Sequence, residues 1–424
     1  MILKVLVVSH SDGERGAYKA ASLLHRHLKE HGTQSTMLVR TSLGDTPGAI
    51  APADRIGRWV SVFRDKVGAA IQRFFGSNDG NTLSLNVLPS FWSERINKMD
   101  VDVVNLQWVG QETMSIADIG SIEKAVVWTA QDLWPISGAK HYAYDYAEAK
   151  SSAGPTGSLP EIRTPRKRFD AESWVLERKR RNWRRNMSII CPSRWMAASA
   201  SKSDVAKSWH VEVIPNVVDT ELFKPLSKPF CRKVFNIDTN KKLITCGAYN
   251  LLRDLRKGGD LFIEMLEKLA SCTTASEVEV CIFGQSEQAD GPKLPFKTYW
   301  IPRVYDQQTL ALIYNLSDIV VVPSREDNLP QVGTEAQACG VPVVGFNCTG
   351  MPDVVEHLRT GYLAAPFDTA DMAQGINWLL ESENRLGAFS AESRIRALDL
   401  WAPDVVTAQY KKAFEAAVAR AELP

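Results

Sequence analysis

The sequence predicts an α/β protein with two doubly wound parallel sheets, and three observations favour this class. Short runs rich in valine and isoleucine recur along the chain, and each is typical of a buried parallel strand. Helical patterns separate these runs, and the alternation begins again near Glu221. The chain has 424 residues, which is too long for one ordinary hydrophobic core.

The first sheet is predicted from strand signals in the first half of the chain. A strand at residues 1–8 leads into a glycine-containing loop at 9–16, and a helix follows with Ala20, Leu24 and Leu28 on one face. This order, continued by a second strand, is how a doubly wound sheet begins. The further strands are expected at residues 36–40, 101–108, 125–129, 187–191 and 211–215.

The second sheet is predicted after a linker at residues 216–232 that contains two prolines. A helix is expected from residue 259 to about residue 269. Strands are expected at residues 242–246, 278–283, 318–322 and 341–346. We place the domain borders after residues 222 and 402, so that the last helix lies in 403–424.

Composition and charge exclude several classes of protein. The chain carries 50 basic and 49 acidic residues, so it has no global field for nucleic acid. Its seven cysteines are scattered, which indicates buried thiols in a reducing compartment. The apolar start is too short for a signal peptide, and we expect a cytoplasmic protein. Asp100 and Asp102 lead directly into a strand and are read as structural, so no metal site is expected.

The segment at residues 318–346 carries the most chemical information. A buried strand leads into a polar loop and then a helix, for which Asn328 is the predicted cap, Pro330 lies in the first turn and Gly340 marks the end. Asp327 lies on the loop and Glu335 on the helix. Helix N-terminal N–H groups attract phosphate, and carboxylates hold sugar hydroxyls. The segment therefore indicates a site for a nucleotide sugar.

Asp327 and Glu335 are separated by seven residues, and the sequence continues with Ala-Gln-Ala-Cys-Gly-Val-Pro-Val-Val at residues 336–344. This pattern resembles glycosyltransferase family 4, the retaining GT-B enzymes. Other matching segments are 213–219, Lys257-Gly258 and 350–356. Residues 128–135 and 191–195 resemble the bacterial colanic-acid and exopolysaccharide branch. The resemblance implies two Rossmann-like domains facing across a cleft, with the acceptor side in 1–222, the nucleotide-sugar side in 223–402, and a last helix that crosses back to the first domain.

The resemblance also implies roles for residues of the second domain. Lys257 would neutralise the donor diphosphate, helped by Arg253 or Arg256, although these two arginines could instead form a solvated surface pair. Asp327 would contact the sugar and Glu335 the ribose. Asp327 stands where glutamate is commoner, so the sugar is left open. The backbone cradle for the phosphate and sugar would be Asn328, Leu329, Pro330 and Gln331.

In the first domain, Gly13 and Gly16 lie where the family's glycine-rich loop approaches the diphosphate. Gln131 occupies the position of the family's catalytic-side histidine. Glutamine can form hydrogen bonds there but cannot take a proton. Asp132 and His141 are nearby candidates, although a lone histidine is more often structural. Two tryptophans, Trp128 and Trp134, could stack on a sugar or simply pack in the core.

The function implied by the resemblance is retaining, metal-independent hexosyl transfer. The donor would be a UDP- or GDP-linked sugar with no further cofactor, and the acceptor a glycan, polyprenyl-diphosphate-linked, in exopolysaccharide biosynthesis. Two alternatives stay open. The chain could bind a nucleotide sugar without catalysis, since several usual positions are altered, or it could be a nucleotide-sugar epimerase, which shares the architecture.

Two stretches fit the sheets less well. Residues 56–75 form an amphipathic helical pattern, and residues 163–185 are basic with interspersed aromatics. Both could dock on an anionic bilayer at the inner face of the cytoplasmic membrane. The alternatives are a helix packed on its own domain for the first stretch and a solvated basic helix for the second.

Overall fold

The computed structural model describes residues 2–13, 16–43, 46–52, 55–75, 82–143, 170–183, 187–237, 240–247, 251–252, 254–272, 277–287 and 293–422. Contacts divide the described residues into two compact units. The first comprises the residues up to Val217 and those from Asp404 onward, and the second comprises Val218–Pro403. The domain borders placed after residues 222 and 402 stay predictions.

The first unit is built on a seven-stranded sheet, in which every pair of neighbouring strands is parallel. The strand order is β3-β2-β1-β4-β5-β6-β7, so the direction of winding reverses between β1 and β4. The strands are β1 (Lys4–Ser11), β2 (Gln34–Thr41), β3 (Ala49–Ile50), β4 (Val103–Leu106), β5 (Ala125–Thr129), β6 (Ser188–Cys191) and β7 (His210–Val213).

Helices cover this sheet, and the last helix of the chain is one of them. Tyr410 and Phe414 of that helix belong to the same buried cluster as Val5 and Val103 of the sheet. The helices of the first unit are α1 (Gly16–Glu30), α2 (Arg55–Phe75), α3 (Trp92–Asn97), α4 (Ile116–Gly120), α5 (Ala171–Asn182), α6 (Arg194–Lys202) and, at the chain's end, α14 (Pro403–Glu422).

The second unit has a six-stranded parallel sheet in the order β10-β9-β8-β11-β12-β13. Winding reverses between β8 and β11. The strands are β8 (Lys242–Gly247), β9 (Val278–Phe283), β10 (Thr298–Ile301), β11 (Ile319–Val322), β12 (Val343–Phe346) and β13 (Gly361–Ala364). The helices are α7 (Lys228–Val234), α8 (Gly259–Cys272), α9 (Gln307–Leu316), α10 (Gln331–Ala338), α11 (Met351–Val354), α12 (Thr369–Leu380) and α13 (Glu383–Trp401).

The prediction of an α/β chain with two doubly wound parallel sheets is confirmed. Three strands were not predicted, β3, β10 and β13, and each lies at the edge of its sheet. An edge strand has only one neighbour and is less completely buried, as the half-buried residues of β10 show. Such a strand lacks the continuous apolar run that marks a central strand.

The basic helix α5 is not simply a solvated helix. Its Lys179 is fully buried, and the ammonium group donates to the carbonyl oxygens of Trp134, Ser137 and Gly138. Burial lowers the pKa of Lys179 well below its ordinary value, against the opposing effect of the Glu172 charge. The helix therefore fixes the loop that follows β5.

Smaller expectations also have structural outcomes. Asp102 accepts a hydrogen bond from the backbone N–H of Lys4 at 2.8 Å, and Asp100 accepts one from its ammonium group at 2.6 Å, which agrees with a structural role for this pair. All seven cysteines are free thiols. Among the described helices, none combines the length and the apolar character that crossing a membrane would require.

Candidate functional site

The carboxyl ends of the strands at a reversal point are where doubly wound sheets bind ligands. In the second unit, the strands at that point are β8 and β11. Lys257 lies on the connection after β8, and Asp327 lies on the connection after β11. Topology alone therefore brings these two predicted site residues to one place.

The two side chains form an ion pair with an arginine beside them. The Lys257 ammonium group donates to Oδ2 of Asp327 at 2.6 Å. Nη1 of Arg256 lies 3.8 Å from the same oxygen and donates to the carbonyl of Glu326 at 3.2 Å. Arg256 also pairs with Asp254 at 3.1 Å. Because Arg256 is largely buried in these contacts, it is not half of a solvated surface pair.

The residue after Lys257 must be glycine because two loops approach closely at this position. A short 3-10 turn, Leu255–Lys257, ends at Gly258, whose φ of 70° is in the left-handed region. A β-carbon at this position would lie 1.9 Å from the carbonyl oxygen of Pro323, the residue that follows β11. Only glycine permits this approach of the two loops, and the approach places Lys257 beside Asp327.

Arg325 ties the same two loops together and was not predicted from the sequence. Its backbone N–H donates to the carbonyl of Arg256 at 2.8 Å. Its guanidinium group donates to the Leu255 carbonyl at 2.8 Å and to both carboxylate oxygens of Asp260 at 2.7 Å. Bidentate pairing of this kind fixes geometry as well as charge. These bonds of Arg325 hold the turn Leu255–Lys257 against the loop that follows β11.

Glycine is also required at residue 350, on the loop that follows β12. A β-carbon on Gly350 would lie 1.5 Å from the carbonyl oxygen of Asn328. The backbone N–H of Gly350 donates to the carbonyl of Asp327 at 2.9 Å, and Thr349 accepts from the N–H of Asp327 at 3.3 Å. The loop that carries the aspartate is therefore held from both sides.

Burial and charge act in opposite directions on the ion pair. Burial lowers the pKa of Lys257 below its ordinary value, although the charge of Asp327 opposes the change. Burial alone would raise the pKa of Asp327, but the charges of Lys257 and Arg256 outweigh it, so that pKa is lowered. The two basic side chains therefore favour the charged form of the Asp327 carboxylate.

The helix after Asp327 starts later than predicted. α10 begins at Gln331, and Pro330 occupies the N-cap position without a side-chain cap, so neither Asn328 as cap nor Pro330 in the first turn is correct. The reason is that Gly350 packs against the Asn328 carbonyl and holds that residue in the loop. The predicted end is correct, since Gly340 has a φ of 71° directly after the C-cap.

Glu335 lies within α10 and is buried. The hydroxyl of Tyr314, on α9, donates to its Oε2 at 2.9 Å. Burial raises the pKa of Tyr314 well above its ordinary value, and the Glu335 charge adds to this rise. Tyr314 was not recognised from the sequence, because its position on an apolar helix face is typical of a core residue.

In the first unit, the two glycines of the β1–α1 connection differ. Gly16 begins α1 with a φ of 44°, and a β-carbon there would meet nothing within 4 Å. Gly13 has an ordinary φ, and a β-carbon there would make ordinary contacts, the nearest at 3.5 Å. Between the sheet and these glycines, the buried carboxylate of Asp12 accepts from the N–H of Leu43 at 2.7 Å.

Gln131, after β5, belongs to a chain of neutral amides. Its Nε2 donates to Asn216 at 2.9 Å and to Gln107 at 3.1 Å, and Asn216 donates back to its Oε1 at 3.1 Å. Gln107 in turn donates to Asn105 at 2.7 Å. The glutamine is therefore positioned by side chains from two other segments, and these amides carry no charge.

The neighbouring histidine, His141, is part of a buried structural network. Its Nδ1 lies 2.6 Å from Oδ2 of Asp132, and its Nε2 lies 2.8 Å from the hydroxyl of Ser84. The Ser84 oxygen also accepts from the N–H of Gln111 at 2.8 Å. Since His141 is 1% exposed, the contacts favour the structural interpretation. Trp128 and Trp134 are likewise buried, as core packing predicts.

A different histidine, His10, lies at the reversal point and was missed. It is near the end of β1, and its backbone N–H donates to the carbonyl of Trp108, after β4, at 2.8 Å. Nδ1 lies 2.7 Å from the hydroxyl of Thr113, which itself donates to the carbonyl of Gly110 at 2.6 Å. The Thr113 oxygen must therefore accept from Nδ1–H. Burial, aided by the charge of Arg40, lowers the pKa of His10 to about 4.

The structure thus brings Lys257, Arg256 and Asp327 into one cluster. It places Glu335 in a separate hydrogen bond on the following helix. Gly13, Gly16 and Gln131 lie at the carboxyl edge of the first sheet. Arg253 lies outside the described residues.

Comparison with protein families agrees with this geometry. Residues 228–396 match the family model described as glycosyl transferases group 1. The matched range covers most of the second unit. The matched range includes the ion-pair cluster and Glu335.

A curated relative extends the similarity beyond this domain. The chain is 27% identical over 302 residues to a D-inositol 3-phosphate glycosyltransferase of Mycolicibacterium smegmatis. The aligned region covers 68% of this chain and spans 64% of the length of that relative.

Solved structures show the fold over nearly the whole chain. Sucrose-phosphate synthase from Thermosynechococcus elongatus aligns with a TM-score of 0.62 at 15% identity, covering 98% of this chain and 99% of that one. Anabaena HepE, solved in complex with UDP and glucose, aligns with a TM-score of 0.62 at 13% identity, covering 98% and 100%. The chain therefore has the GT-B fold, with two Rossmann-like domains.

Proposed function

We propose that this chain transfers a sugar from a UDP- or GDP-linked donor to an acceptor hydroxyl, with retention at the anomeric carbon and without a metal ion. The observation that carries the proposal is the cluster of Lys257, Arg256 and Asp327 at the reversal point of a group 1 glycosyltransferase domain. HepE, with the same fold, was solved with UDP and with UDP-glucose.

The cluster suits a diphosphate because it supplies two cations beside a helix N-terminus. Lys257 and Arg256 converge on Asp327, and α10 begins four residues after that aspartate. The N-terminal end of a helix carries partial positive charge and favours phosphate. Charge-assisted contacts strengthen as negative charge develops on the leaving oxygen, and this accelerates transfer.

In the proposed step, the bond between the anomeric carbon and the donor's diphosphate oxygen breaks while the acceptor oxygen bonds to that carbon on the same face. The acceptor's proton passes to the leaving phosphate oxygen. Lys257 and Arg256 stabilise the leaving diphosphate, and Asp327 holds Lys257 in place and faces the sugar. Glu335 binds the ribose hydroxyls, with its carboxylate oriented by Tyr314. Gln131 contributes hydrogen bonds rather than proton transfer.

Two acceptor classes are proposed. The segments at 128–135 and 191–195 favour a polyprenyl-diphosphate-linked glycan of exopolysaccharide biosynthesis. The relative from Mycolicibacterium smegmatis, a D-inositol 3-phosphate glycosyltransferase, favours a phosphorylated cyclic polyol instead. Both acceptors carry a hydroxyl and phosphate, and they differ in whether a polyprenyl lipid is attached.

A non-catalytic role is the main rival. It is favoured by Gln131, whose side chain is engaged by Asn216 and Gln107 and cannot accept a proton. The intact cluster around Lys257 opposes it, because a binding protein does not need charge focused on the leaving group. An epimerase would turn over the donor with no acceptor at all.

The experiment is a transfer assay with UDP- and GDP-sugars against both acceptor classes, with NMR to determine the anomeric configuration of the product. Glycoside formed with retained configuration supports the proposal. Inverted product contradicts retention. Binding of a nucleotide sugar without transfer to either acceptor favours the non-catalytic role, and donor turnover without an acceptor favours the epimerase.

A further inference from the structure

Helix α2 packs on the first unit through polar groups. Arg64, in its middle, is buried and donates three hydrogen bonds of 2.7 Å to the carbonyls of Leu88, Pro89 and Glu112. Ser61 donates to the carbonyl of Arg40 at 3.1 Å. These partners fix the rotation of the helix about its axis. An amphipathic pattern predicts that the arginines of α2 lie away from the packed side, and for the buried Arg64 this is wrong.

The consequence is that one flank of the apolar side of α2 faces outward, while Ile71 on the other flank packs against the core. Six large apolar side chains of this helix are between 43% and 82% exposed. They are Ile56, Trp59, Val62, Phe63, Phe74 and Phe75. The rings of Trp59 and Phe63 stack on one another with centroids 5.8 Å apart. We call the outward stripe formed by Ile56, Trp59, Phe63 and Phe74 the outer face of α2.

Basic residues border the outer face. Helical geometry places Arg55, Lys66 and Arg73 along one side of the stripe, and all three are exposed. The one acidic residue of α2, Asp65, is directed toward the fold, with Oδ1 3.8 Å from Nε2 of His10. Within the described helix, the outer face therefore combines exposed aromatics with positive charge, and the single carboxylate of α2 is directed away from it.

An exposed apolar stripe of this size marks a surface that binds a partner or a membrane. A protein groove would bury the aromatics but would leave the basic border without a function. An anionic bilayer satisfies both parts, since aromatic and aliphatic groups enter the headgroup boundary while arginine and lysine pair with lipid phosphates.

We propose that the outer face of α2 docks this chain on an anionic lipid bilayer. The inference is independent of the transfer reaction, because it concerns a surface that is not part of the candidate site. Each helix of this kind binds reversibly, with affinity that depends on both the apolar contact and the lipid charge.

The test is sedimentation of the full chain with vesicles of phosphatidylcholine alone and of phosphatidylcholine with 30% phosphatidylglycerol, about the anionic fraction that attracts basic segments. We expect binding to the anionic vesicles, weakened by high salt. Phe63→Ser combined with Phe74→Ser should weaken it by about tenfold or more. Reversing Arg55, Lys66 and Arg73 to glutamate should abolish it at the same lipid concentration.

Phe230→Ser is the matched control. This phenylalanine is 59% exposed on α7 in the second unit, and its loss should leave vesicle binding unchanged. All variants change exposed side chains, so their thermal unfolding should match the parent. The proposal is overturned if the full chain binds no anionic vesicles, or if the double phenylalanine variant binds as the parent does. Self-association in sedimentation equilibrium that is lost in the same variant, without vesicle binding, would assign the face to a second copy.

Discussion

The carboxyl edges of the two sheets share a topology but differ in chemistry. In the second unit, the strands at the reversal point lead to Lys257, Arg256 and Asp327, which are charged and in contact. In the first unit, the same edge carries Gln131 in a chain of neutral amides and His10, whose lowered pKa keeps it uncharged at neutral pH.

Under the proposed function, the two edges would serve different parts of the reaction. The basic groups Lys257 and Arg256 of the second edge would contact the donor diphosphate. The neutral amides of the first edge would orient a sugar or polyol by hydrogen bonds. Variants that change one edge at a time test this difference between the two sheets.

The largest expected effect comes from the glycine that brings the charged loops together. Gly258→Ala forces a β-carbon to within 1.9 Å of the Pro323 carbonyl at a left-handed φ. We expect the free energy of unfolding to fall by about 4 kcal/mol. Gly16→Ala, the counterpart in the first unit, meets no atom and should cost only about 1 kcal/mol. Urea unfolding followed by circular dichroism measures both, and equal losses would contradict the distinction.

The buried His10 of the first edge should affect the dependence of stability on pH. The folded pKa of His10 is about 4, below the 6.5 of an unperturbed histidine. Its contribution is therefore complete above pH 6.5 and is lost as the pH falls toward 4, amounting to about 3 kcal/mol.

The measurement is urea unfolding of the parent and of His10→Asn at pH 7 and at pH 4.5. The variant removes this titration while the carboxylates of the chain titrate in both proteins. The parent should lose more stability than the variant over this interval. Equal losses would show that the buried ring is protonated without cost.

Loss of the lysine should affect transfer more than it affects the fold. Lys257→Ala removes the main positive contact for the leaving diphosphate, so we expect kcat to fall by about 100-fold or more. Lys233→Ala, an exposed lysine on α7 of the same unit, is the control and should keep full activity. The measurement is steady-state kinetics with the donor identified in the transfer assay. Near-normal turnover by Lys257→Ala would show that this lysine does not contact the leaving diphosphate.

The smallest effect is expected at Gln131. Gln131→His keeps hydrogen-bonding capacity toward Asn216 but restores a group that can take a proton. If the native amide serves by hydrogen bonding alone, kcat should change by no more than about threefold, which is less than 1 kcal/mol in the barrier. A large gain in turnover would show instead that the natural site is impaired.

Most of the central architecture could be predicted from the sequence. Buried parallel strands such as β11 are continuous apolar runs. The spacing between Asp327 and Glu335, together with the segment that follows it, carried the family resemblance. The direct bond between Lys257 and Asp327 was not predicted, because it joins residues 70 positions apart. It depends on the close approach at Gly258, which only the folded backbone shows.

The orientation of α2 shows a second limit. Helical periodicity correctly predicted an amphipathic helix, but it could not tell which side packs inward. That choice is made by Arg64, whose three acceptors are backbone carbonyls 24, 25 and 48 residues away. Every residue has a backbone carbonyl, so the sequence does not indicate which carbonyls accept a hydrogen bond. The loop contacts that delay the start of α10 cannot be predicted for the same reason.

Calorimetric titration with UDP, GDP, ADP and their common sugar conjugates tests the central claim most directly, using the parent chain, Lys257→Ala and Lys233→Ala. We expect one nucleotide to bind the parent and Lys233→Ala with equal affinity, in the micromolar range. Because Lys257→Ala loses a charge-assisted contact, we expect it to bind this nucleotide about tenfold more weakly or worse. Undiminished binding by Lys257→Ala, or no binding of any nucleotide by the parent, would contradict it.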